Sequence, residues 1–321
     1  MNHRYLPLFI LLFLTTPLLG QDIEPLQWFR HQYPIPEIGD FSVQNVKLVD
    51  YAEWNKTDRL TRSQKRQFVL QKPTPPEVTM EFNLDGQLIL AIQYGLESLL
   101  LKESHLRQTY DENGRLICKE NFDVGFQPGL LMAIDSFLYA YDKKGQLATL
   151  TMPHRNLGAQ DTSRRGIRKQ THFTYDRKGQ VIRLLKMCDP DDDRASGLLI
   201  ECARDTFYLD HTGKPVRLDV HDGIQLYTDR TFRYDRAGRL WETTVYEGAN
   251  PATVIAWEYD RQGRPTARFV EDAQGITPSI IHRFYYRPDG LLDRYSRQSG
   301  EAAPHIDLKY VYEFDERADS R

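Results

Sequence analysis

Five stretches of this chain read Tyr-Asp-x-x-Gly, at Tyr110-Asp111, Tyr141-Asp142, Tyr175-Asp176, Tyr234-Asp235 and Tyr259-Asp260. Carboxylates repeated beside aromatic rings are residue types that could serve acid–base or sugar chemistry. Their spacing points elsewhere. Asp at the first position of a turn accepts a bond from the backbone two residues on. Gly three residues later supplies the positive φ that a G1 bulge needs. Together they make a common hairpin connection, a type I turn closed by a left-handed glycine. These aspartates are read as turn residues.

Other residues carry chemistry of their own. Asp189, Asp191 and Asp193 have the D-x-D-x-D start of a calcium loop, yet Arg194 takes the turn glycine's place and Glu201 comes one residue late. A solvated acidic loop is the better reading of that run. Arg155, Arg164, Arg165, Arg168 and Lys169 form a basic segment just before it. Guanidinium groups at that density suit an anionic glycan or an acidic protein surface, through bidentate contacts. Cys188 and Cys202 flank the acidic loop and are the disulfide candidates, while Cys118 has no obvious partner. The chain has no His-Glu-x-x-His, Gly-x-Ser-x-Gly, phosphate loop or Cys-x-x-Cys, so neither an enzyme nor a cofactor is expected.

The elements that must position these residues follow from the repeat. With its variants, the turn glycine recurs at Gly86, Gly114, Gly145, Gly179, Gly213, Gly238, Gly263 and Gly290, and a ninth unit starts at Tyr310. Aromatic pairs precede the glycine at period two, as in Tyr139/Tyr141, Phe173/Tyr175, Phe232/Tyr234, Trp257/Tyr259 and Phe284/Tyr286. Period two places both members on one face of a strand, and the regularity favours core packing. Leu or Val recurs two residues after most of the glycines, but Pro215 and Pro265 stand there in two units and imply different packing. Two strands per unit give an all-β antiparallel meander of about sixteen to eighteen strands. Accumulated twist must curl so long a sheet into a spiral shell or partly closed barrel, aromatic stripe inward.

In "YDRKGQV", "YDRAGRL" and "YDRQGRP" the motif resembles the YD, or RHS, repeat of bacterial secreted and surface proteins and of animal teneurins. The resemblance covers roughly residues 78–317 and implies a spiralling β-sheet shell. Larger relatives add an autoprocessing core and a C-terminal toxin. This chain shows no such core motif and stops inside a repeat, so toxin delivery is not expected of it.

Residues 1–20 read as a secretory signal: a short polar start with His3 and Arg4, the apolar run "LPLFILLFL", and a cut after Gly20. Losing Arg4 takes the net charge of −3 to about −4, with acids and bases interspersed, so nucleic acid is not an expected partner. No membrane-spanning segment is expected in the mature chain, and localisation is read as secreted or periplasmic. Residues 21–77, rich in Pro and aromatics, are expected to cap the first sheet edge, and residues 78–321 to form the repeat domain. In a meander every Tyr-Asp turn lies on one rim and every inter-repeat link on the other. The longest links, 121–135, 153–169 and 189–197, therefore crowd one rim, with Arg155, Arg164, Arg165, Arg168, Lys169, Asp191 and Asp192 as its binding candidates. The function expected is a non-enzymatic structural or partner-binding role at the cell envelope, with an envelope protein or glycan as partner. The alternatives are a carbohydrate-binding module using the aromatic stripe, or an all-β hydrolase whose paired carboxylates converge only in space.

Overall fold

The computed structural model describes residues 34–36, 38, 43–50, 78–97, 100–124, 131–153, 167–190, 198–277, 279–300 and 306–314. They form β1 (Val43–Asp50), β2 (Val78–Phe82), β3 (Leu88–Glu97), β4 (Leu100–Tyr110), β5 (Leu116–Val124) and β6 (Leu131–Tyr141). Then follow β7 (Leu147–Pro153), β8 (Ile167–Tyr175), β9 (Val181–Cys188), β10 (Ile200–Leu209), β11 (Pro215–His221) and β12 (Leu226–Tyr234). The last are β13 (Leu240–Glu247), β14 (Asn250–Tyr259), β15 (Pro265–Asp272), β16 (Ile280–Tyr286), β17 (Leu292–Ser299) and β18 (Ile306–Phe314).

Each strand pairs antiparallel with the next, and β1 pairs with both β18 and β2. The all-β meander expected from the repeat is present, and it closes into an 18-stranded barrel. Closure is complete because β18, the first strand of the unfinished ninth unit, finds its partner at the other end of the chain. The segment 21–77 thus contributes a wall strand. Its earlier residues lie against the inner wall: Ile35 and Ile38 are buried in the core, and Tyr310 Oη donates to the Pro34 carbonyl at 2.7 Å.

Alternation sets the two faces. Val46, Leu48, Val78, Met80, Leu308 and Tyr310 are buried side by side across β18, β1 and β2. One apolar cluster lines the arc from β14 through β18 to β4, and a second lines the arc from β6 to β12. Eighteen strands enclose more space than one layer of side chains fills, so each arc packs round its own cluster. The aromatic stripe faces inward, with Tyr139, Phe173, Phe232, Trp257 and Phe284 all buried. These five rings present no exposed face to a sugar, while their partners Tyr141, Tyr175, Tyr234, Tyr259 and Tyr286 are half-buried.

The outer face is charged. Arg294 makes a bidentate pair with Asp307 at 2.6 and 2.7 Å, Arg233 pairs with Glu242 at 3.1 Å, and Arg204 with Glu201 at 2.6 Å. Among the described residues no helix is long and apolar enough to cross a membrane.

Candidate functional site

The Tyr-Asp rim is a chain of linked turns. In the unit at Asp111, the Asp N–H donates to the Arg115 carbonyl at 2.8 Å and the Gly114 N–H to the Asp111 carbonyl at 2.9 Å. Asp111 Oδ1 accepts from the Asn113 and Arg115 amides, each at 2.9 Å. Gly114 has φ of 73° and the ladder shifts register at Tyr110, which is the bulge geometry. The same positive φ recurs at Gly86, Gly145, Gly179, Gly213, Gly238, Gly263 and Gly290. These carboxylates are committed to their own turns.

Two further roles on this rim are invisible in the motif itself. The motif tyrosine reaches back to the preceding hairpin: Tyr110 Oη donates to the Leu88 carbonyl at 3.0 Å, Tyr141 to Leu116 at 2.7 Å, and Tyr175 to Leu147 at 2.7 Å. The residue after the glycine reaches forward. Gln87 Nε2 donates to the Gly114 carbonyl and Lys214 Nζ to the Gly238 carbonyl, both at 2.7 Å. Arg115, Arg239 and Arg264 lie over the rings of Tyr141, Tyr259 and Tyr286 at 4.5–4.7 Å. Pro215 and Pro265 stand where most units have Leu or Val, a difference that implies different packing. At Pro215 the contact survives, because Tyr234 needs only a carbonyl there and takes it at 2.9 Å.

The opposite rim carries the links. The 121–135 stretch is mostly wall and not link: β5 runs to Val124 and β6 starts at Leu131. The ladder between the two strands runs out to the Val124–Leu131 pair. Arg168 and Lys169 likewise belong to β8 and not to a loop, and the Arg168 carbonyl accepts from the Asp189 amide at 2.9 Å. Arg155, Arg164, Arg165, Asp191, Asp192 and Asp193 lie outside the described residues. Asp189 is buried at the end of β9. Cys188 and Cys202 are disulfide-bonded with Cα atoms 5.7 Å apart, and Cys118 takes no part in that bond. Among the described residues no group of three His, Cys, Asp or Glu side chains is placed to hold a metal ion.

Between the rims the inner wall changes character. Residues directly opposite in an antiparallel pair share a face, so the register assigns Lys119, Lys186, Asp205, Arg230, Arg268, His282 and Arg297 to the inside. Lys119 stands between Gln108 and Phe137, and burial lowers its pKa. Lys186 pairs with Asp205 at 2.8 Å. Burial raises the Asp205 pKa, and the Lys186 charge opposes that rise. Arg268 Nη1 lies 3.1 Å from His282 Nε2, and His282 Nδ1 lies 2.8 Å from Tyr295 Oη. Arginine can only donate, so Nε2 accepts and the imidazole proton sits on Nδ1, facing Tyr295. This belt was missed in the sequence because its members are one per strand and never adjacent in the chain.

The sequence matches no family model and no curated protein. Among solved structures it is similar to the TcdB2-TccC3-Cdc42 structure, at 16% identity and a TM-score of 0.35, over 75% of this chain and 14% of that one. It is also similar to a porin-like protein from Bacteroides uniformis, at 11% identity and a TM-score of 0.39, over 86% of this chain and 99% of that one. The chain thus spans about one seventh of the TcdB2-TccC3 chain it matches (14%). At these values neither likeness assigns a family or a function.

Proposed function

We propose that this is an exported, non-enzymatic barrel of YD-type hairpins that binds an envelope protein or glycan through the rim carrying its long links. The observation that supports this reading is the asymmetry between the two rims. One is occupied by its own hydrogen bonds, turn to turn. The other carries the links 51–77, 125–130, 154–166 and 189–199, the last clasped by the Cys188–Cys202 bond. Long links held by a rigid wall are where binding surfaces usually lie. The charged outer wall supports a barrel standing in water, since an Arg or Lys facing the middle of a bilayer costs about 2–4 kcal/mol.

The test is recovery of partners from an envelope extract by the wild type and by a variant with residues 155–166 replaced by an Asn-Gly turn. β8 begins at Ile167, so the replacement leaves the wall intact. The expected outcome is a folded variant that loses a partner the wild type retains. A folded variant that keeps every partner would remove the arginines of this link from the binding surface.

A further inference from the structure

The Tyr-Asp rim keeps one group of side chains out of its own bonding. Each turn uses its Asp, its Gly and the residue after the Gly, and leaves the two tip residues between Asp and Gly outermost. On five consecutive turns, 142–146, 176–180, 210–214, 235–239 and 260–264, these tips carry Lys143, Lys144, Arg177, Lys178, Arg236 and Arg261, all exposed. The five turns hold nine Lys or Arg against five Asp, in a chain whose net charge is −3. The other three described turns, 83–87, 111–115 and 287–291, hold two Lys or Arg against four Asp or Glu. The rim is thus basic along one arc, from β6 to β15, and acidic along the rest.

The aspartates do not neutralise this arc. Asp235 and Asp260 are already paired with Arg239 and Arg264, the residues after the glycines, each at 2.7 Å. Arg236 and Arg261 are therefore surplus cations. Asp142 and Asp176 each turn one carboxylate oxygen onto two main-chain amides, at 2.8 and 2.9 Å, against two tip cations apiece. Among the described residues, none of the six tip cations has a carboxylate partner. The wall sets their spacing. Successive turns lie two inter-strand spacings apart, about 9–10 Å. Bonds from turn to turn hold that interval: Lys214 Nζ donates to the Gly238 carbonyl at 2.7 Å, and Arg239 Nη1 to the Asp260 carbonyl at 3.4 Å. A ligand on this arc therefore needs little ordering of the backbone.

We infer that this arc is a docking surface for a linear acidic polysaccharide laid across the hairpin tips. Two strand spacings are close to the length of a disaccharide, so a glycan with a carboxylate on every second sugar can set one against each turn. Lysine meets such a group as a point charge and arginine as a two-pronged donor. A nucleic acid fits less well. Each DNA strand carries a charge about every 3.4 Å, and single-strand binders stack bases on aromatic side chains. None of the five tips carries Phe, Tyr or Trp. A flat anionic membrane would also meet Asp85, Glu112 and Asp289 on the rest of the rim, whereas a flexible chain can follow the basic arc alone. This surface lies on the rim opposite the links and does not rest on their binding role.

The experiment is a binding titration of the full mature chain at several salt concentrations. The probes are two acidic glycans, hyaluronate and polygalacturonate, against neutral dextran, oligothymidylate and phosphatidylglycerol vesicles. At least one acidic glycan is expected to bind saturably, and more weakly as salt rises, because exposed charges are screened. Dextran should not bind. Lys178→Gln, Arg236→Gln and Arg261→Gln together should weaken binding at least roughly tenfold, since exposed ion pairs are small singly and add along a row. Removing three cations of the outer wall instead, Arg204→Gln, Arg233→Gln and Arg283→Gln, should leave the affinity within about twofold of wild type. Lys143→Gln with Lys144→Gln, on a separate turn, should also weaken binding and serves if the triple rim variant does not fold. Replacing residues 155–166 should change nothing here, so the two rims fail separately. No saturable glycan binding, equal losses in the two triple variants, or tighter binding of oligothymidylate or vesicles than of either glycan would overturn the assignment.

Discussion

Tyr234 Oη donates to the main-chain carbonyl of Pro215 at 2.9 Å, joining β12 to the start of β11 just above the turn. The same contact ties Tyr141 to Leu116 and Tyr175 to Leu147, so successive hairpins are cross-linked by a side chain as well as by the ladder. Removing one hydroxyl should cost about 1 kcal/mol, and up to about 3 if the carbonyl stays buried and unmatched. Tyr234→Phe and Tyr141→Phe should each lower the urea midpoint with an unchanged m-value. Midpoints equal to wild type in both would mean that the ring alone matters here.

The glycines separate backbone strain from crowding. Gly238 has φ of 76°, and a Cβ there would lie 2.0 Å from Lys214 Nζ. Gly263 has φ of 86°, and its nearest neighbour would be Arg239 Cδ at 3.9 Å. Gly263→Ala therefore isolates the cost of a left-handed backbone, about 1–2 kcal/mol. β-Branched Val should cost more, toward about 3 kcal/mol. Denaturant titration of the Ala and Val variants at both glycines checks this. A neutral Gly263→Ala would contradict the bulge.

The hairpins were legible because a turn is a local event: Asp142 bonds the amides of Lys144 and Gln146, both within four residues. The inward aromatic stripe was legible too, since period two needs no partner to be seen. Closure was not. Val46 meets Tyr312 and Met80, residues whose proximity no local pattern encodes. The lengths of β5 and β6 were obscured because "NFDVGFQPGLLMAID" mixes strand alternation with Gly and Pro, and the turn residues dominated the reading. The tyrosine cross-link was hidden behind ring packing, because its acceptor is backbone and leaves no trace in residue type.

Acid should unfold the barrel through its turns. The side-chain bond from Thr212, joined by the Lys214 amide, holds Asp210 down at about 2, and the Arg115 side chain and amide hold Asp111 below the usual carboxylate range. A carboxyl whose folded pKa is depressed stabilises the fold above its unfolded pKa, and that contribution is lost as pH falls through the folded value. Asp205 works the other way: its raised pKa favours the folded state in acid and loses that effect as pH rises. The urea midpoint should therefore fall from roughly pH 5 toward pH 2. Asp210→Asn, which keeps the turn preference and loses the charge, should flatten that slope. An unaltered acid limb in this variant would exclude the turn carboxylate as a cause.

The closing strand gives the sharpest test of the fold. In an open meander β1 would be an edge, and truncating one of its side chains would cost little beyond local packing. In the ring, Leu48 faces Tyr310 on one side and Val78 on the other and is 0% exposed. Leu48→Ala should then destabilise by about 2–5 kcal/mol, as for a buried core leucine. Leu138 on the outer face of β6 is 44% exposed, and Leu138→Ala should stay within about 0.5 kcal/mol of wild type, as surface substitutions usually do. Hydrogen exchange gives an independent readout, because the Lys47 and Leu48 backbones are paired to strands on both sides. Their amides should exchange at the rate of global unfolding, as core strands do. If they exchange far faster than those of β14, while Leu48→Ala costs no more than Leu138→Ala, β1 is not holding the ring shut.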